Sequence, residues 1–132
     1  MTGIDLPITA LYAGLLALMS VFVANRVLWA RLRGDKVPEW KEQTNLRIQG
    51  NFNENVPLAL VMLLALEVGG LPDTWIHWFG GSLFVFRLLH AIGMSRDPGA
   101  TYERLIGAQG TFLLMSIMGM TGIMMFVLPR LG

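Results

Sequence analysis

Two stretches without a charged side chain, Leu6 to Asn25 and Leu105 to Pro129, set the strongest limit on what this chain can become. As a helix, each is long enough to cross a hydrocarbon core of about 30 Å. With 54% hydrophobic and only 14% charged residues among 132, the rest of the chain is also too apolar for an average water-soluble domain. The expectation is an all-α, integral membrane four-helix bundle. Residues Met1 to Asp5 carry no basic segment and no clear small-residue cleavage site follows, so the first run reads as a retained span rather than a signal peptide.

Charge and cysteine content exclude several chemistries. A formal net charge of +1, with the basic residues dispersed, provides no electrostatic footprint for nucleic acid. The chain has no cysteine, so disulfides, thiolate metal ligands and cysteine nucleophiles are ruled out. Any thiol in the chemistry must arrive on a substrate. His77 and His90 fall in different layers without carboxylates at ligand spacing, so no metal site is expected. No glycine-rich phosphate loop follows a strand pattern, and no serine has a histidine and carboxylate placed to activate it.

Taken in order, the residues predict one domain, 1–132, with spans at about 6–30, 44–68, 74–94 and 103–128. Pro7 suits the first turn of the first helix, which ends in Arg26, Arg31 and Arg33. Gly34 to Lys41 has the composition of an exposed loop, with Trp40 as an interfacial anchor. The second helix is free of polar side chains only from Val56 to Leu66, too short to span alone, so its first half must face protein or water. Pro57 lies inside it and frees the carbonyl of Asn53, which a membrane helix tolerates when neighbours re-satisfy the backbone. Gly69 to Asp73 is a tight turn, Trp75 and Trp78 sit at aromatic-belt depth, and Ser95 to Ala100 is a second exposed loop. Gly107, Gly110, Gly119 and Gly122 give the fourth helix small surfaces for close helix approach. Basic residues flank the first and third connections and are missing from Gly69–Asp73, which predicts both basic loops on the cytoplasmic side of a bacterial inner membrane.

That topology brings Arg47, Gln49, Asn51, Glu54, Asn55, Arg87, His90 and Arg104 to a similar depth. On a helix, Arg47, Asn51, Glu54 and Leu58 follow one another at i, i+4, i+7 and i+11, so a cation, an amide and a carboxylate share one stripe. An ionisable group at the centre of a membrane helix costs at least about 2.5 kcal/mol, so such groups face one another or a wet cavity. Arg47, Arg87 and Arg104 outnumber Glu54, which favours an anionic ligand, and the start of the fourth helix adds free N–H groups. Glu54, Asn51 and Asn55 suit an ammonium group or a peptide backbone. The layer fits a zwitterionic, peptide-like ligand. Plainer roles compete: Arg47 as a boundary anchor, Arg87 and His90 snorkelling or pairing with Glu54, Arg104 with Glu103 as interface charge, and the cluster Met115 to Met125 as packing.

The run Arg47-x-Gln49-x-Asn51-x-x-Glu54-Asn55-x-Pro57, with Arg87, His90 and Arg104, resembles the signature of the membrane-associated proteins in eicosanoid and glutathione metabolism, the MAPEG family. The resemblance implies four spans, a homotrimer in the lipid bilayer, and glutathione held as co-substrate between subunits near the cytoplasmic side. By resemblance, Arg47, Asn51 and Glu54 bind the tripeptide, Gln49 and Arg31 assist from the adjoining subunit, His90 contacts ligand, and Arg104 is the catalytic residue that stabilises the thiolate. A cation beside the sulfur favours its charged form, which makes that role physically sound. Asn55 stands where eicosanoid-forming members usually have a tyrosine or another residue, and Met94 where a second tyrosine is often found, which by resemblance places the chain with short bacterial-type members. The function expected is glutathione transfer to, or peroxide reduction of, a small lipophilic substrate. Alternatives from other classes are a non-catalytic ligand-binding or scaffold protein of the same fold and a small multidrug transporter. The transporter reading wants an acidic residue deep in a span, whereas Glu54 lies toward a helix end among arginines.

Overall fold

A computed structural model describes residues 6–33, 39–96 and 102–131. The two basic connections fall outside these residues, as do the side chains of Trp40 and Met94. Four helices make up the described chain: α1 (Ile8–Arg33), α2 (Glu39–Val68), α3 (Asp73–Arg96) and α4 (Tyr102–Leu131). The second helix starts at Glu39, five positions ahead of the expected 44. Residues 39–41 are therefore helix rather than loop. Pro57 is accommodated inside α2 without ending it.

Each helix buries one stripe at helical spacing. In α1 it is Thr9, Tyr12, Leu16, Met19, Val23 and Val27; in α2 it is Ile48, Phe52, Val56, Ala59, Leu63 and Leu66. The steps of three and four residues keep each stripe on one face of its helix. The fourth helix packs against α3 and α2, while α1 packs against α2 and α3. Glycines allow the closest approaches. A Cβ on Gly107 would stand 2.5 Å from the backbone nitrogen of His90 and 2.5 Å from the carbonyl oxygen of Phe86, and one on Gly80 would meet the Tyr12 ring at 2.3 Å. Gly110 and Gly122 are also crowded, by Phe86 and Met62, whereas Gly119 meets no other helix within the single chain.

The outward faces are apolar. Leu18, Phe22, Val61, Trp78, Leu113 and Ile123 are all more than half exposed, a pattern that water penalises and lipid does not. Helices α1 and α4 are long and apolar enough to cross a membrane. Arginine–aromatic pairs mark their C-terminal ends: Arg33 lies 5.7 Å from the Trp29 ring centroid, and Arg130 lies 3.8 Å from that of Phe126.

At one end of the bundle the polar groups close on themselves. Glu67 in the last turn of α2 accepts hydrogen bonds from the backbone N–H of Ile8 (2.5 Å) and of Thr9 (2.8 Å) and from the Thr9 hydroxyl (2.7 Å), so a carboxylate from one helix caps the N-terminus of another. Tyr12 Oη is 2.7 Å from His77 Nδ1 beside it. The chain then turns through Gly70 at φ 96°, where the N–H of Leu71 reaches the carbonyl of Leu66 and that of Gly70 reaches Glu67. This glycine-terminated turn satisfies the last carbonyls of α2 and starts α3 three residues later.

Candidate functional site

The other end holds an open cleft of about 340 Å³, lined by Arg47, Gly50, Asn51, Glu54, His90 and Arg104. Three helices supply them. On α2, the packing stripe Ile48, Phe52 and Val56 turns inward, which leaves Arg47, Asn51 and Glu54 on the adjoining face. On α3, the stripe Ile76, Phe79 and Leu83 continues in register to Arg87 and His90, so both are carried inward with the core positions. On α4, Arg104 begins the stripe that runs on through buried Gly107, Thr111, Leu114 and Met118.

Arg87 does not line the cleft. It stands behind it at 2% exposure, donating from Nη2 to Asn51 Oδ1 at 2.6 Å and from Nη1 toward Thr111 Oγ1 at 3.5 Å. Its Nη2 is also 3.3 Å from His90 Nδ1. The Thr111 hydroxyl gives its own proton to the carbonyl of Gly107 at 2.7 Å, which frees a lone pair for the guanidinium. Arg87 Nε is buried without a partner among the described residues. No carboxylate pairs with this guanidinium among them either, so the expectation of an Arg87–Glu54 pair is not realised.

Three other expected residues lie off the cleft wall. Asn55 turns its amide back to the carbonyl of Asn51 at 2.9 Å, one helical turn away, so its donor is spent within α2. Gln49 is half-buried on a different face of the same helix, and Arg31 is exposed at the end of α1. Two contributors escaped the sequence reading. Gly50 widens the cleft wall, and Thr111 anchors Arg87; the seven-residue step from Arg104 to Thr111 was the available signal, since it puts both on one face of α4.

With an arginine on each side, an amide, an imidazole and one carboxylate, the cleft presents mainly hydrogen-bond donors and positive charge. A family model described as the MAPEG family matches residues 9–124, which takes in all four helices and every cleft residue. The chain belongs to the MAPEG family. Among curated relatives, the inner membrane protein YecN of Escherichia coli strain K12 is 37% identical over 51 residues, 39% of this chain and 39% of YecN. YecN of Escherichia coli O6:H1 strain CFT073 matches to the same extent. The chain thus aligns with about two-fifths of the length of the curated relatives it matches. No solved structure matches. This MAPEG member is therefore an α-helical membrane protein with an open polar cleft at one end of its bundle.

Proposed function

We propose that this MAPEG protein binds glutathione in the cleft and presents its thiolate to a lipophilic electrophile or lipid peroxide. The observation that carries the reading is the convergence of Arg47, Asn51, Glu54, His90 and Arg104, from three helices, on one open cleft in a fold otherwise surfaced for lipid. Glutathione has two carboxylates, an ammonium group and a thiol. Arg47 takes a carboxylate, Glu54 the ammonium group, and Arg104 the sulfur. In transfer, the sulfur lone pair forms a bond to an electrophilic carbon and the leaving group departs with its electron pair. In peroxide reduction, two glutathione molecules are oxidised to the disulfide while the peroxide becomes an alcohol and water.

Further features support the same reading. An apolar outward-facing groove between α3 and α4 is lined by residues that include Trp75, Trp78, Phe86 and Leu113, and its Phe86 end lies one helical turn from His90. We propose that this groove holds the lipophilic reactant. We further propose a homotrimer with the cleft on the cytoplasmic side, in which Arg31 and Gln49, both off the cleft wall of their own subunit, serve a neighbour's site. A non-catalytic ligand carrier is the second reading, favoured by the absence of any hydroxyl among the described cleft-lining side chains and by the inward-bonded Asn55 amide.

Titration of the purified protein with glutathione, followed through thiolate absorbance in the ultraviolet, tests the proposal. A thiolate signal that disappears in Arg104→Ala supports it, and turnover of a chromogenic electrophile separates enzyme from carrier. No binding to a folded protein would exclude glutathione as the ligand.

A further inference from the structure

Arg87 is the largest side chain fully enclosed among the described residues, and none of its polar contacts there is to a carboxylate. A guanidinium can only donate, so every atom turned toward it must accept. That single fact fixes the hydrogens of its neighbours. The Asn51 amide turns its oxygen to Arg87, which leaves Nδ2 with its two hydrogens on the other branch, toward the cleft that Asn51 lines. The His90 ring turns Nδ1 to Arg87, so that nitrogen is unprotonated and the ring proton sits on Nε2, at the far edge of a ring that also lines the cleft. Thr111 fits the same scheme, since its hydroxyl proton is committed to the Gly107 carbonyl.

We propose that Arg87 is a positioning residue that sets the polarity of the cleft wall. By accepting from Arg87 on their hidden sides, Asn51 and His90 are held with N–H donors facing the ligand, alongside the guanidinium groups of Arg47 and Arg104. Glu54 is left as the one acidic side chain lining the cleft among the described residues. The wall therefore selects a ligand rich in carboxylate and carbonyl oxygens, with a single ammonium end. The positive charge of Arg87, enclosed without a carboxylate partner among the described residues, adds to the same selection, because a bound anion offsets a buried cation. The proposal rests on reading the cleft as a ligand site, but the hydrogen arrangement belongs to the ligand-free protein and can be tested without a ligand.

The chain has two histidines, so nitrogen-15 histidine labelling of a His77→Gln background leaves one ring to observe by NMR. The expected spectrum shows His90 neutral, with Nδ1 unprotonated and the proton on Nε2. Arg87→Lys, which keeps the charge and loses the fork of donors, is expected to average the two tautomers. Asn51→Asp keeps an acceptor toward Arg87 and so preserves the tautomer, but it replaces the cleft-facing donor with an acceptor; the glutathione Kd is expected to rise at least about tenfold. His90 protonated on Nδ1 in the protein with native Arg87 overturns the proposal, as does an Asn51→Asp Kd within about twofold of the parent. If the tautomer behaves as expected but glutathione does not bind the parent protein, glutathione fails as the ligand while the positioning role stands on the spectrum and on its loss in Arg87→Lys.

Discussion

The two polar ends of this bundle solve the same problem in opposite ways. Near the Gly70 turn, the side chains of Glu67, Thr9, Tyr12 and His77 spend their hydrogen bonds on one another and on the start of α1. At the cleft end, Arg87 is bonded within the fold, but Arg47 and Glu54 make no hydrogen bond or ion pair among the described residues. The self-satisfied end is architecture, whereas the exposed and unpaired Arg47 and Glu54 are the groups that the proposed function assigns to a ligand. The difference separates two classes of polar residue that look alike in a list.

Substitutions can break or sharpen that contrast. The largest effect is expected from Gly107→Ala, whose new methyl would meet the α3 backbone at 2.5 Å and force α3 from α4. We expect a loss of about 3 kcal/mol in stability, read as a lowered thermal midpoint in detergent, together with loss of glutathione binding. Next is Arg104→Ala, expected to lower thiolate formation and turnover by about 100-fold, the cost of removing one preorganised charge from the reacting atom. Glu67→Ala should do the reverse: stability falls by about 2 kcal/mol through the lost cap of α1, and the glutathione Kd is unchanged. A Kd that moved with Glu67 would erase the distinction between the ends.

Two smaller effects refine it. Arg47→Ala is expected to weaken glutathione binding about tenfold with no change in thermal midpoint, since its guanidinium is one of the charge-assisted donors on the wall. A plain boundary anchor would leave the Kd where it was. Tyr12→Phe removes only the bond to His77 and should cost about 1 kcal/mol of stability, with binding intact.

How far each residue was legible in the sequence follows the same division. Arg47, Asn51 and Glu54 share a stripe by helical spacing alone, and that stripe lines the cleft. Arg87 and His90 could be placed at the right depth but not told apart, because depth along the membrane says nothing about which atom of a long side chain lies nearer the ligand. Asn55 looked equivalent to Asn51, yet a local bond within α2 withdraws its amide. For Thr111 the spacing from Arg104 gives only a shared face of α4, and its part in the site depends on Arg87, a partner 24 positions away. The Glu67 cap is invisible in the same way, since the groups it joins are 59 and 58 positions apart.

The sequence by itself determined that the chain is a helical membrane protein, because uncharged runs of spanning length have few other stable forms, and it determined which stripe of α2 carries the polar groups, because helical periodicity is local. Tertiary structure alone decided which polar groups are spent and which are offered. Whether a donor meets an acceptor depends on how closely two helices approach, and here that is decided by glycines such as Gly107 that let α4 reach the backbone of α3.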